Sequence, residues 1–259
     1  MLLKTNLMIL YPNAKINVGL NIIRKRNDNY HDIESIFLPF FKCFDILEIL
    51  PSDHFSFVSS GNLVSNENNI CVQAFNLLKR DFKIPNVSIH LHKMIPIGAG
   101  LGGGSSDGAF TLIAINKIFK LNISNKSLEK YALELGADCP FFIDNTPKYV
   151  EGVGELMTKI NIDSSDFEIE IINPNIHIST AEAYNSIIPR EPKYNLREIV
   201  DIPIDKWKNQ VINDFEKPIF HQYPDLEGYK KSFYKKGALY SSMTGSGSVI
   251  YGLFKSNKS

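Results

Sequence analysis

A dense run of glycines constrains this chain more than any other feature of its sequence. Five of its 16 glycines fall within the seven residues 98–104, between a segment with strand periodicity and an apolar segment typical of a helix. Glycine allows close approach of the backbone to a ligand, and a helix N-terminus offers unpaired N–H groups with partial positive charge. Such a strand-to-helix junction predicts a phosphate-binding loop.

Three common nucleotide-binding patterns fail on this loop. A P-loop ends in Gly-Lys-Ser/Thr, but no lysine lies between Lys93 and Lys117. The glycine spacing fits G-x-G-x-x-G by count, yet no acidic residue between Asp107 and Glu129 can bind the ribose of a dinucleotide. The HRD and DFG motifs of protein kinases are also missing.

Composition limits the classes of partner. The 259 residues correspond to one large or two modest domains. The 28 Lys and Arg residues balance 28 Asp and Glu residues, whereas nucleic-acid-binding and anionic-membrane-binding proteins usually carry a basic excess. We therefore expect no nucleic-acid or membrane partner. A small-molecule substrate is implied by the resemblance described below, and we expect a monomer or weak homodimer.

The cysteines and the N-terminus indicate the compartment. Cys43, Cys71 and Cys139 are widely spaced and form no CxxC pair. The apolar segment near the N-terminus is interrupted at residues 4–6 and closed by Pro12, which does not fit a signal peptide. A cytoplasmic protein is predicted.

The hydrophobic pattern predicts an α+β fold. Residues 14–22 alternate with period two, which places Lys15 and Asn17 side by side on the non-core face of a strand. Asn68 and Asn69 can cap the first helix. Strands and helices then follow without regular βαβ alternation. Predicted helices span about 69–79, 106–119, 127–135, 207–215 and 225–234, and predicted extended segments include 40–50, 87–91 and 137–143.

Several segments together resemble the GHMP kinases, which include galactokinase, homoserine kinase and mevalonate kinase. The glycine run reads Gly-Leu-Gly-Gly-Gly-Ser-Ser-Asp from Gly100 to Asp107, and the other segments occur in the family's order over about residues 12–254. These segments are Ala14-Lys15-Ile16-Asn17, Asn29-Tyr30-His31, Leu135-Gly136-Ala137-Asp138-Cys139-Pro140-Phe141 and Thr244-Gly245-Ser246-Gly247.

The resemblance implies a fold and an activity. It implies an N-terminal ATP-binding domain over residues 1–157, similar to domain 2 of ribosomal protein S5, and a ferredoxin-like substrate domain over residues 158–259. ATP is the implied co-substrate, with Mg²⁺ expected beside it. The most similar branch phosphorylates the 2-hydroxyl of 4-diphosphocytidyl-2-C-methyl-D-erythritol in the non-mevalonate route of isoprenoid synthesis.

The same resemblance assigns the site residues. Lys15 is the implied catalytic cation, and Asp138 is the base that accepts the proton of the acceptor hydroxyl. The ATP-binding segment comprises Pro96, Ile97, Gly98, Ala99, Gly100, Leu101, Gly102, Gly103, Gly104, Ser105 and Ser106. The substrate-binding residues are Asn17, Tyr30, His31, Thr180 and Tyr184; no metal ligand is assigned.

The sequence departs from the family pattern at two positions, and three alternative functions stay open. Ala99 stands where the family commonly has glycine, and Gly108 stands where it usually has alanine, which lowers intrinsic helix stability. The alternatives are another GHMP kinase of the homoserine or mevalonate type, a non-catalytic nucleotide sensor, and a dinucleotide dehydrogenase.

Overall fold

The computed structural model describes residues 7–62 and 68–256, which divide into two compact units. The first unit comprises the chain up to Ala14, Phe41–Ile97 and Gly102–Asn145. The second comprises Lys15–Phe40, Gly98–Leu101 and the chain from Thr146 onward. The domain boundary at residue 157 comes from the family resemblance and stays a prediction.

Helices and strands are interspersed along the chain. The strands are β1 (Met8–Leu10), β2 (Asn13–Lys25), β3 (His31–Phe44), β4 (Ile46–Pro51), β5 (Ser56–Gly61), β6 (Val87–Lys93), β7 (Lys148–Glu151), β8 (Leu156–Lys159), β9 (Phe167–Ile172), β10 (Tyr240–Met243) and β11 (Ile250–Lys255). The α-helices are α1 (Ile70–Asp81), α2 (Gly103–Ile118), α3 (Asn125–Leu135), α4 (Phe141–Asp144), α5 (Thr180–Asn185), α6 (Glu216–Gln222) and α7 (Pro224–Lys235). Short 3₁₀ helices span Ser164–Asp166, Glu198–Asp201 and Ile204–Asn209.

The first unit packs helices against a four-stranded sheet of order β1-β4-β6-β5, in which only the β5–β6 pair is parallel. Strand β6 alternates buried Val87, Ile89 and Leu91 with less buried polar residues, as its period predicts. Helix α1 starts where expected, because the Asn69 side chain accepts a hydrogen bond from the Cys71 N–H.

Gly108 lies where three helices of this unit converge. A Cβ built on Gly108 of α2 would come within 2.8 Å of Ile70 Cγ1 on α1 and 3.3 Å of Leu135 Cδ1 on α3. The loss of intrinsic helix stability expected from this glycine therefore accompanies close helix packing, which alanine would prevent.

The second unit contains two sheets, of order β2-β3-β7-β8 and β10-β11-β9. Its apolar core includes Phe215, which is the N-cap of α6, and Ile219 within α6. Phe233 of α7 and Met243 and Ile250 of the second sheet belong to the same core. Helices α6 and α7 thus hold the strand pair that flanks the Thr244–Gly247 turn.

Four predicted elements are wrong in detail. Helix α2 begins at Gly103, inside the glycine run, and not at residue 106. Residues 137–143 are not extended: residues 137–140 form turns and residues 141–143 belong to α4. The helix predicted over 207–215 is instead the end of a 3₁₀ helix, with α6 starting at Glu216. The strand predicted over 40–50 is interrupted at Asp45.

Asp45 interrupts the strand because its carboxylate organises the segment that leads into the glycine run. Its Oδ1 accepts hydrogen bonds from the N–H groups of Met94 (2.6 Å) and Ile95 (2.8 Å). Its Oδ2 accepts from the Lys93 ammonium, which also donates to Asp107 Oδ2 at 2.7 Å. Lys93 therefore links the end of β6 to the first turns of α2.

Charge in this buried cluster is unbalanced, because Lys93 faces two carboxylates. All three side chains are almost completely buried. Asp107 Oδ1 has no hydrogen-bond partner within the described residues, whereas both oxygens of Asp45 have one or more. Burial raises the pKa of Asp107 to about 8 against the opposing attraction of Lys93, so this carboxyl takes up a proton at a higher pH than an ordinary aspartate does.

Gly108→Ala is expected to destabilise the protein by about 1–3 kcal/mol, because the overlap with Ile70 outweighs the better helix propensity of alanine. Gly228→Ala is the matched control: it lies in α7 with nothing within 4 Å of its built Cβ, and should stabilise by about 0.5–1 kcal/mol. Urea denaturation measures both, and equal effects of the two substitutions would contradict the packing role of Gly108.

Asp107→Asn is expected to change how stability depends on pH. Above pH 4 the unfolded chain releases the Asp107 proton while the folded chain keeps it, so this residue makes wild-type stability fall as pH rises toward 8. The free energy of unfolding of Asp107→Asn minus that of wild type should therefore increase from pH 5 to pH 8, by at most about 1.4 kcal/mol per unit. The exposed Asp53→Asn serves as the control. A flat difference for Asp107→Asn would show that the group is ionised throughout.

Candidate functional site

The predicted phosphate loop has the backbone of an anion-binding segment. Gly98, Gly100 and Gly102 adopt φ values of +66°, +78° and +69°, a region that residues with a Cβ rarely enter. Gly102 is the N-cap of α2 and makes no side-chain capping hydrogen bond. The first-turn N–H groups of a helix have no intrahelical acceptors, and no acidic residue lies in the first turn of α2. Anions are favoured at such an end.

Within the second unit, the Gly98–Leu101 segment lies against the turn after β10. A Cβ on Gly100 would overlap the Thr244 carbonyl oxygen, and one on Gly245 would lie 3.1 Å from the Gly100 Cα. Thr244 Oγ1 donates to the Gly100 carbonyl at 3.0 Å. The two glycine-containing motifs of the sequence therefore contact each other through their main chains.

Lys15 and Asn17 are neighbours, as the alternation in β2 predicts, but the face that was predicted to lie outside the core is buried as well. Both residues are buried, with relative exposures of 4% and 3%. The Lys15 ammonium donates to Asn17 Oδ1 at 2.5 Å and lies 4.4 Å from the centre of the Phe37 ring. The Lys15 ammonium is therefore held in place by an amide acceptor and an aromatic face.

Asn17 also joins Lys15 to the glycine-containing turns. Its backbone N–H donates to Thr244 Oγ1 at 3.0 Å, and its side-chain amide donates to Ser35 Oγ at 3.0 Å. The Lys15 backbone N–H donates to the Leu101 carbonyl at 2.9 Å. Three segments distant in sequence, namely β3, the glycine run and the turn after β10, are thereby held near one buried lysine.

Asp138 lies in the turn between α3 and α4 of the first unit and is partly exposed. Its carbonyl accepts from the Phe141 N–H at 3.3 Å, which fixes the backbone of the turn. The adjacent Cys139 is buried, and burial raises the pKa of its thiol to about 12, so it is a poor nucleophile. Asp138 is therefore the chemically available group of this motif, and its pairing with Lys15 of the second unit stays a prediction.

Of the predicted substrate-binding residues, His31 and Tyr184 meet in the second unit. Their rings stack with centroids 4.8 Å apart and planes inclined by 26°. Burial, and secondarily the charge of Lys25, lowers the pKa of His31, which favours the neutral ring. Tyr30 is 63% exposed, and Thr180 is the exposed first residue of α5, one turn before Tyr184.

Two residues near the Thr244–Gly247 turn were missed by sequence reasoning. The Asn213 side-chain amide donates to the carbonyls of Met243 and Gly245, both at 2.9 Å. The buried Glu216 accepts from Ser242 Oγ and the Met243 N–H, both at 2.8 Å. Neither residue lies in a recognisable motif; an acidic residue opening a short helix was the only available signal.

Within residues 7–62 and 68–256 there is no cluster of metal-binding side chains and no membrane-spanning helix. No three His, Cys, Asp or Glu side chains in this range are grouped so that they could hold a metal ion. No helix in the same range is sufficiently long and apolar to traverse a bilayer.

Comparison with known proteins identifies the family. Residues 69–145 match the family described as GHMP kinases N terminal domain, and residues 205–259 match GHMP kinases C terminal. The 4-diphosphocytidyl-2-C-methyl-D-erythritol kinase of Azobacteroides pseudotrichonymphae genomovar. CFP2 is 48% identical, with 96% of this chain and 94% of that protein covered. The protein of the same name from Bacteroides fragilis is 45% identical, with 95% and 92% covered.

Solved structures agree with these sequence matches. A crystal structure of 4-(cytidine 5'-diphospho)-2C-methyl-D-erythritol kinase has a TM-score of 0.81 and 29% identity, with 95% of this chain and 90% of that chain covered. Homoserine kinase from Cytophaga hutchinsonii shares the fold at 18% identity, with a TM-score of 0.69 and coverage of 95% and 86%. With an α+β fold, both domain matches and close relatives over nearly its full length, the chain belongs to the GHMP kinase family.

Proposed function

We propose that this chain transfers the γ-phosphoryl group of ATP to the 2-hydroxyl of 4-diphosphocytidyl-2-C-methyl-D-erythritol, giving the 2-phosphate and ADP. The observation that carries this proposal is identity of 41–48% over nearly the whole chain to proteins named for that kinase activity. The homoserine and mevalonate kinases share the fold at 18% identity or less. Similarity at this level is no reason to assign their substrates to this chain.

ATP binding is proposed at the segment Pro96–Ser106. The glycines with positive φ and the first turn of α2 supply main-chain donors for its phosphates. Mg²⁺ is proposed to arrive with the nucleotide and to neutralise phosphate charge; we assign it no protein ligand.

Lys15 and Asp138 are proposed to act on the acceptor hydroxyl. As the hydroxyl oxygen bonds to the γ-phosphorus and the bond from that phosphorus to the ADP oxygen breaks, the hydroxyl proton passes to the Asp138 carboxylate. The Lys15 ammonium stabilises the negative charge that develops on the oxygen. Positioning and charge stabilisation of this kind account for most catalysis of phosphoryl transfer.

The cytidine end of the acceptor is proposed to bind around His31 and Tyr184. Aromatic faces hold bases by stacking, and a neutral imidazole can both donate to and accept from a base edge. Tyr30 supplies a second, exposed ring, while Asn17 and Thr180 offer polar groups. We propose that a monomer or weak homodimer carries out the reaction in the cytoplasm, without nucleic-acid or membrane partners.

Asp138→Asn should leave ATP affinity within about twofold and lower kcat by about 10² or more, because the amide cannot accept the hydroxyl proton. Single-turnover ADP formation and nucleotide titration measure the two quantities. Glu129→Gln, on the preceding helix α3, is the matched control and should keep wild-type rates. Full turnover by Asp138→Asn would remove this residue from the mechanism.

The pairing with Lys15 is tested in the same assay. Lys15→Met should also lower kcat, and the Lys15→Met/Asp138→Asn double variant should lose less than the sum of the two single effects, because both residues act on one oxygen. Additive losses would indicate separate roles.

A panel of acceptors tests the substrate. With ATP, ADP release should require the cytidyl acceptor and stay at background with homoserine or mevalonate. Faster turnover of either rival would indicate another GHMP kinase, ATP binding without any turnover would indicate a nucleotide sensor, and tighter binding of NAD than of ATP would indicate a dehydrogenase.

A further inference from the structure

A cavity of about 610 Å³ lies entirely within the second unit, among α6, α7 and residues 208–214. It contains none of the residues assigned above to ATP, to the acceptor or to catalysis. Its volume is in the range of sites for small organic ligands.

The lining is strongly basic in a chain whose formal net charge is zero. Three carboxylates, Asp214, Glu216 and Glu227, face twice as many cationic side chains. The six cations are Arg190, Lys208, Lys217, Lys230, Lys231 and Lys235. This local excess of three positive charges predicts an anionic ligand.

The three carboxylates are already paired within the protein. Arg190 binds Asp214 at 2.7 Å, Lys230 binds Glu216 at 2.5 Å, and Lys231 binds Glu227 at 2.8 Å. The uncompensated charge is therefore that of the other three lysines.

Those three lysines have no carboxylate partner within residues 7–62 and 68–256. Lys208 is held over the Tyr234 ring at 4.5 Å, which positions its ammonium without neutralising it. Lys217 on α6 and Lys235 on α7 carry no ion pair in that part of the chain. They leave charge and hydrogen-bond donors available to a ligand.

The rest of the lining is mostly carbon. Ile212, Phe220 and the Tyr234 ring contribute apolar surface, together with the methylene stems of the lysines. A neighbouring cavity of about 940 Å³ shares Phe220 and Lys217 and adds Ile187 and Ile188, the latter 90% exposed. Inorganic phosphate would satisfy the lysines alone and leave this apolar surface in water.

We propose that this cavity binds a small anionic amphiphile, a phosphate or diphosphate ester with a hydrocarbon body, with Lys217 and Lys235 contacting the anion. The apolar body would lie on Phe220 and Ile212 and remove their surface from water. This site is separate from the proposed reaction, so it stands or fails independently of the substrate assigned above.

Isothermal titration calorimetry with octyl phosphate tests the proposal on the full chain, with inorganic phosphate and 1-octanol as probes that each carry one half of the chemistry. Octyl phosphate should bind at least tenfold more tightly than either. The Lys217→Glu/Lys235→Glu variant should weaken its binding at least tenfold, and Lys217→Gln/Lys235→Gln should weaken it less. The control, Lys159→Glu/Lys255→Glu, makes the same charge change on exposed lysines of the same unit outside the cavity and should bind like wild type.

Saturating ATP and the cytidyl acceptor are added in further titrations, and neither should displace octyl phosphate. Displacement by either ligand would place the probe in the reaction site and overturn the proposal. Absence of octyl phosphate binding to wild type, or equal weakening by both Glu double variants, would also overturn it. Circular dichroism and melting temperature verify that every variant is folded. If Lys217→Glu/Lys235→Glu does not fold, the binding of octyl phosphate to Lys217→Gln/Lys235→Gln is compared with wild type instead.

Discussion

The ion cluster at Lys93 is the interaction on which the geometry of the phosphate loop most depends. One ammonium joins Asp45, which breaks a strand and fixes the backbone at residues 94 and 95, to Asp107, which lies in α2 just after the glycine run. A buried lysine without these carboxylates would be costly, and a second carboxylate is tolerated because it can keep its proton. The cluster thus links the end of β6, just before the glycine run, to α2, just after it.

Packing around Lys15 shows that a local sequence pattern predicts which side chains share a face of a strand better than it predicts whether that face is buried. The alternation in β2 predicts that Lys15 and Asn17 share a face, because side-chain direction in a strand is a local property. Phe37 and Thr244 contribute to their burial, and these residues come from another strand and from a turn more than 200 residues away. Amphipathic periodicity contains no information about burial by residues that are distant in sequence.

The same distinction applies to helices and to the candidate site. The Asn69 cap is a local hydrogen bond and was predicted. The hydrogen bonds of Glu216 with Ser242 and Met243 join residues distant in sequence and were not predicted. From the sequence alone, Gly108 predicts only a less stable helix. The close packing of α1, α2 and α3 explains why a glycine is present there. Family motifs supplied the roles of the site residues, which composition and periodicity alone would have left as solvated side chains.

The contact between the Gly100 and Gly245 backbones has a consequence for protein engineering. Because main-chain atoms occupy the space that a side chain would need, no choice of amino acid can adjust the separation of these two segments. Random libraries should therefore hold both positions fixed and place diversity at Gly104, where a built Cβ meets nothing within 4 Å. Evolution of a new nucleotide preference by this scaffold would proceed through such permissive neighbours, or through changes in loop length.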